Sequence, residues 1–151
     1  MIIRVQHEDF DTASLQRELV AGRSDVGAIA SFIGLVRDLA ADPLQQMELE
    51  HYPGMTEKAL ENIARRACER WQVLDLAIIH RVGALKPADQ IVLVMVASPH
   101  RGDAFAACEF IMDYLKTEAP FWKKETSDQG ENWVEARKSD IFAQKKWDNR
   151  T

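Results

Sequence analysis

Lys116 and Lys123 stand on either side of Pro120 in the run Met112-Asp113-Tyr114-Leu115-Lys116-Thr117-Glu118-Ala119-Pro120-Phe121-Trp122-Lys123-Lys124-Glu125. A lysine held among apolar and aromatic groups, with other cations close by, loses part of its preference for the charged form and can then give or take a proton. Other cations follow expected strand ends: Arg37 after one strand, His100 and Arg101 after another. Binding and catalytic groups gather at such positions, because a rigid sheet fixes them while their heads stay accessible. Arginine offers forked donors to phosphate oxygens, and the start of a helix after Arg101 adds backbone N–H groups for the same anion. If the strands ending at Gly34 and Ala97 run the same way, these cations share one cleft, and the expected ligand is a phosphorylated small molecule.

Each residue also has a structural reading. Arg37 and Arg101 fit solvated surface positions, and His100, after Pro99, fits a turn. His51 and His80 fall in expected strands, where a structural role is favoured, and Phe121 and Trp122 fit core packing. Lys123 with Lys124 fits a charged strand edge that blocks unwanted pairing. No two histidines have the i, i+4 spacing, with a nearby carboxylate, of a helical metal site, so no metal is expected. Cys68 and Cys108 read as small apolar residues on buried helix faces, outside any Cys-x-x-Cys pair, so neither a disulfide nor a zinc role is expected.

The elements that must hold these groups mix strands and helices. A short opening strand precedes a weak amphipathic helix on Leu15, Leu19 and Val20, capped near Asp11 or Thr12 and ended at Gly22. Residues 26–33 are apolar and β-branched, which predicts a buried strand broken by Gly34; Arg37, Asp38, Asp42 and Pro43 then form a loop. Met47, Leu49 and His51 alternate with Glu48, Glu50 and Tyr52 in a half-buried strand that stops at Pro53-Gly54. Leu60, Ile63, Ala64, Ala67, Cys68 and Trp71 recur at three and four, the clearest helix, with Thr56 or Gly54 near its start. Residues 73–79 and 91–97 predict two central strands joined through Gly83, Pro87 and Asp89. Ser98-Pro99-His100-Arg101-Gly102-Asp103 leads into a helix with inner face Phe105, Cys108, Ile111, Met112 and Leu115, closing before Pro120. Residues 121–125 read as an exposed edge strand, Trp133-Val134 as a last short strand, and the tail from about Lys138 as polar, helical or loose. Without a strict βαβ repeat the fold class is α+β.

At 151 residues the chain fits one domain that folds without disulfide or metal. Its 46% apolar and 28% charged residues suit a soluble globular protein, and no apolar run approaches the roughly 20 residues that span a bilayer. The start turns acidic at Glu8, Asp9 and Asp11, unlike a signal peptide, so a cytoplasmic protein is expected. A net charge of -5 argues against a general nucleic-acid binder. By themselves, composition and spacing lead to a soluble α+β domain with a candidate anion site.

Several blocks carry the reading further. Glu50-His51-Tyr52-Pro53-Gly54-Met55-Thr56-Glu57-Lys58-Ala59-Leu60, His80-Arg81-Val82-Gly83, Ser98-Pro99-His100-Arg101 with Ala104-Phe105, the run 112–125 and Trp133-Val134-Glu135-Ala136-Arg137 resemble the large, catalytic subunits of molybdopterin synthases. The resemblance covers nearly the whole chain. It implies a mixed, largely antiparallel sheet with helices packed on it, in an α/β-hammerhead-like fold. It further implies a sulfurtransferase that converts cyclic pyranopterin monophosphate to molybdopterin by installing two dithiolene sulfurs. A small ubiquitin-like partner then carries the sulfur as a thiocarboxylate on its C-terminal glycine, and two large subunits form the central dimer of a heterotetramer.

Carried over by the same resemblance, Lys116 and Lys123 are the catalytic lysines and also contact substrate. Arg37, His100 and Arg101 contact the substrate anion, Lys124 and Glu125 line the site, and Arg137 is a further basic residue near it. Leu35 stands where the family often has a lysine, so Leu35 and Val36 enter the site without side-chain charge, and the acidic, apolar loop 38–42 would weaken anion binding if it folds over the pocket. Two other functions stay open: a partner-binding scaffold without turnover, and an independent phosphoesterase acting on a cyclic phosphate.

Overall fold

The computed structural model describes residues 1–38, 44–127, 130–134 and 138–148. Two uninterrupted apolar runs build its centre. β4 (Asp75–Arg81) and β6 (Gln90–Ser98) pair antiparallel and are buried from 76 to 80 and from 91 to 98. Strands this apolar need cover on both faces. On one face Leu76, Ile78, Val92, Val94 and Val96 meet α2 (Met55–Arg70) and α3 (Arg101–Glu118). On the other, Ala77, Ile79, Leu93 and Met95 meet Leu15 and Leu19 of α1 (Thr12–Val20), whose start is capped as expected by the Asp11 carboxylate on the N–H groups of Ala13 and Ser14. β1 (Ile2–Gln6) adds in parallel beside β4, and β2 (Ala28–Leu35) antiparallel beside β6, giving the order β1-β4-β6-β2.

β2 departs from expectation. It is an edge strand, not a buried one, and Phe32, Ile33 and Leu35 are 41%, 37% and 53% exposed. Gly34 does not end it; the strand continues to Leu35 through a register shift, and a Cβ at Gly34 would come within 2.8 Å of Val92 Cγ1. Apolar composition reports strand propensity, but the number of neighbours decides burial.

A second, antiparallel sheet has the order β5-β3-β7-β8, from β5 (Gly83–Leu85), β3 (Leu44–His51), β7 (Phe121–Ser127) and β8 (Gly130–Val134). The expected single sheet is therefore two. β5 was read as part of a connection, and its three residues are too few to show periodicity. β7, read as an exposed edge, is interior, because β3 and β8 pair with its two sides. α2 buries Leu60, Ile63, Ala64 and Ala67 as predicted.

α3 corrects the expected inner face at one position: Phe105 is 66% exposed. Ala104, Ala107, Cys108, Phe110, Ile111, Met112, Tyr114 and Leu115 are buried instead. α3 packs against a sheet, α2 and α4 (Lys138–Asp148), so its buried arc is too wide for a single-stripe reading. α4 occupies the stretch read as a polar tail. Its main apolar anchor is Trp147, which is 2% exposed, sets its ring edgewise to Trp71 and Phe110, and donates its indole N–H to Asp113 at 2.6 Å.

Candidate functional site

The segment from the end of α3 into β7 carries both lysines of interest. α3 stops because Pro120 disfavours helix at Ala119, whose backbone turns extended at φ -79, ψ 127. A buried threonine then locks the turn to α2. Thr56, 0% exposed, donates its hydroxyl to the Pro120 carbonyl at 3.0 Å and accepts the Tyr52 N–H at 3.1 Å. The N-cap of α2 is Gly54, at φ 85, so Thr56 serves the α3–β7 turn and not the cap. Thr56 thus fixes the turn between Lys116, in the last turn of α3, and Lys123 on β7.

Strand alternation decides which β7 side chains enter the site. Phe121, Lys123 and Glu125 oppose His51, Leu49 and Met47 on β3, and Met47 and Leu49 belong to the core. Trp122 and Lys124 oppose Glu50 and Glu48 on the other face. Lys124 is therefore turned away from Lys123, contrary to the expectation that both line one pocket. At the end of this strand pair Glu50, His51, Tyr52 and Trp122 line an open depression of about 350 Å³, with Tyr52 and Trp122 edge to face at 4.4 Å.

His80 is a buried group on which the charges of both lysines act. It is 5% exposed on β4, and its ring stacks on Phe121 with centroids 3.7 Å apart and planes 17° apart. Its Nδ1 lies 2.8 Å from the Arg81 carbonyl oxygen, which can only accept, so the proton sits on Nδ1. Burial pushes its pKa from 6.5 down to about 3; the hydrogen bond to the Arg81 carbonyl opposes this, and the charges of Lys123, Lys116 and His51 add to it. The charges of Lys116 and Lys123 thus both act on a neutral imidazole. Lys116 itself is exposed, so the group that the fold desolvates here is His80.

A pH dependence follows. Below pH 6.5 the unfolded chain takes a proton at His80 that the folded chain refuses, so acidification from 6.5 towards 3 should destabilise the fold by about 1.4 kcal/mol per pH unit. Denaturant titrations at pH 7, 6 and 5 should show this slope and lose it in His80→Phe. An unchanged slope in that variant would assign the proton to another group.

His100 and Arg101 form a separate place. His100 is the N-cap of α3, without a side-chain cap, and Arg101 opens the helix; both are exposed. Ser98, 0% exposed, anchors the turn by donating to the Gln72 carbonyl at 2.7 Å, and Asp103 accepts the Gln72 N–H at 2.9 Å. The turn also needs Gly27, where a Cβ would fall 2.1 Å from the Pro99 carbonyl oxygen. Gly27→Ala should cost about 1–3 kcal/mol, as overpacking does, and shift His100. A thermal melt unchanged within error would show that the turn yields freely.

The expected single cleft does not form within one chain. β2 and β6 run antiparallel, with Ala28 opposite Ser98 and Gly34 opposite Val92, so the ends carrying Arg37 and His100 point opposite ways. Val92 also opposes His80, which puts Gly34 about 10 Å from His80 across two strand spacings and Arg37 at the lysine end. Arg101 lies at the far end of α3, roughly 23 Å from Lys116 at the helical rise. Val36 is 2% exposed, and its N–H and C=O are bonded to Asp89 and Ala88, so its side chain is part of the core. Leu35 is exposed on the edge strand, Glu125 shares the Lys123 face, and Arg137 and residues 39–42 lie outside the described residues.

Sequence reasoning gave His80 a structural role and offered Thr56 or Gly54 for the start of α2, where Gly54 is the N-cap. The local signal for either was only a polar residue inside an apolar pattern. Among the described residues no cluster of three or more His, Cys, Asp or Glu is placed to hold a metal, and no helix is long and apolar enough to cross a membrane. Cys108 is buried, and burial lifts its thiol to about 11; burial also raises Cys68, so neither is a poised thiolate.

Comparison with known proteins bears on what this arrangement serves. A family model described as MoaE protein matches residues 5–118. A "Molybdopterin synthase catalytic subunit" from Ralstonia nicotianae is 62% identical over 146 residues, covering 96% of this chain and 83% of that protein. The structure of a "Molybdopterin biosynthesis MoaE protein" from Burkholderia ambifaria superposes with a TM-score of 0.85 at 58% identity, over 97% of each chain. That of a "Molybdopterin Synthase" from Staphylococcus aureus gives 0.80 at 33% identity, over 86% of this chain and 94% of that one.

Proposed function

The chain belongs to the MoaE protein family, and from that premise we propose that it is the catalytic subunit of a molybdopterin synthase, a cytoplasmic sulfurtransferase. The observation that carries the site is the α3–β7 turn, fixed by the Thr56 bond to the Pro120 carbonyl between Lys116 and Lys123, with Phe121 stacked on His80. Cyclic pyranopterin monophosphate is the substrate, and the sulfur comes from the C-terminal glycine thiocarboxylate of a small partner subunit. Sulfur addition requires loss of oxygen from the substrate, opening of its cyclic phosphate and hydrolysis of the acyl link to the partner, each helped by proton transfer. Lys116 meets the partner's terminal glycine as acid or base, and Lys123 stabilises developing negative charge or shares the proton transfer. The steps draw on this chain's own side chains and on no metal.

His100 and Arg101 join this chemistry through a second copy. The exposed β2 edge, with Phe32, Ile33 and Leu35, suits two-fold antiparallel pairing, which sets the end of one β2 beside the start of the other. Arg37 and the lysines of one chain then approach His100 and Arg101 of its mate, and the anion is held across the dimer.

Two measurements test the reading. The purified chain, given a thiocarboxylated small subunit and cyclic pyranopterin monophosphate, should form the dithiolene product. Failure to form it while still binding the small subunit would favour the scaffold; ester cleavage by the chain alone would favour the phosphoesterase. Co-expressing Arg101→Ala with Lys123→Ala should recover up to roughly a quarter of wild-type activity through mixed dimers with one intact site. No recovery over the separate variants would place both residues in a single-chain site.

A further inference from the structure

We propose that His80 is a positioning residue for Lys123, its bare Nε2 accepting a hydrogen bond from the Lys123 ammonium and holding it at the inner face of the second sheet. This rests on the proposed function for its catalytic consequence, but not for its geometry. The only ring proton of the neutral imidazole is spent on the Arg81 carbonyl, so Nε2 offers a lone pair and nothing else. In a buried setting such a lone pair is costly unless a donor reaches it.

Lys123 is placed to supply that donor. Phe121 lies flat against the imidazole, and Lys123 leaves the same face of β7 two residues on, about 7 Å along the strand. A four-carbon stem covers that span. Of the charges around His80, that of Lys123 acts most strongly, followed by those of Lys116 and His51. An ammonium carries three donors, so a bond to His80 leaves others for substrate and for Lys123's further contacts. Because the imidazole stays unprotonated, it accepts from the lysine without adding a like charge.

Two substitutions separate this role from packing. His80→Phe keeps a ring for Phe121 to stack on but has no acceptor; His80→Gln places an amide oxygen where Nε2 stood but has no ring. In the reconstituted synthase, His80→Phe should lower kcat on the order of 100-fold, the scale of a misplaced catalytic group, with little change in KM. His80→Gln should recover most of it. Wild-type kcat in His80→Phe, or equal losses in two folded variants, would overturn the proposal. If neither variant folds, or if the wild type makes no product and the functional reading fails, 15N-histidine NMR of the wild type and of Lys123→Met decides. The expected result is an unprotonated His80 Nε2 at neutral pH whose resonance moves when Lys123 is replaced. A protonated Nε2, or a resonance indifferent to Lys123→Met, would overturn it.

Discussion

Lys123→Ala should lower molybdopterin formation by about 10²–10⁴-fold, the range of a lost proton-transfer group, while Lys124→Ala leaves it within a few-fold. The two lysines are neighbours with the same charge, so only direction separates them. Lys123 opposes Leu49 on the face that carries Phe121 and looks towards His80; Lys124 opposes Glu48 on the other face. A cross-strand pair of opposite charge at a partly solvated site is worth little, so losing Lys124 costs little stability. Lys116→Ala belongs with Lys123→Ala, because both charges act on the same imidazole. Single-turnover assays with a preformed thiocarboxylate partner isolate the chemical step. A larger loss in Lys124→Ala than in Lys123→Ala would mean that the opposite face of the sheet carries the reaction.

Trp147→Ala should destabilise the protein by about 3–5 kcal/mol, the cost of removing a large buried aromatic ring. Little of α4 is apolar, and Trp147 packs edgewise on both Trp71 and Phe110, which also touch each other. Its indole bond to Asp113 would be lost as well, and the Arg70 bond to its carbonyl at 3.1 Å would loosen with the helix. Tyr114 hydroxyl to Asp148, at 2.8 Å, and Gln144 to Glu118, at 3.2 Å, fasten the same helix to α3. Since Lys116 stands between Tyr114 and Glu118, release of α4 should also free the end of α3 that presents it. Denaturant unfolding of Trp147→Ala and Trp147→Phe measures the effect. A loss under 1 kcal/mol for alanine would show that α4 contributes little to the fold.

Where a residue's neighbours lie within one turn or one strand repeat, the sequence was readable. The three-and-four recurrence on α2, the alternation through Met47, Leu49 and His51, the Asp11 cap and the stop at Pro120 are all local, and each appears where the pattern placed it. Longer blocks carried family membership and named the two lysines. Those properties depend on short stretches of chain, whose steric and hydrogen-bonding preferences act without the rest of the molecule. Pairing partners are a different matter. The apolar run in β2 looks like a central strand until only β6 is found beside it, and β7 looks like an edge until β8 folds back on it. The relative direction of β2 and β6, which parts Arg37 from His100, is set by the path of the whole chain, as is the meeting of His80 with Phe121 from 41 positions further on. A buried, neutral histidine facing two lysines exists only once two sheets and the end of α3 close around it, because desolvation and charge act through space and not along the chain.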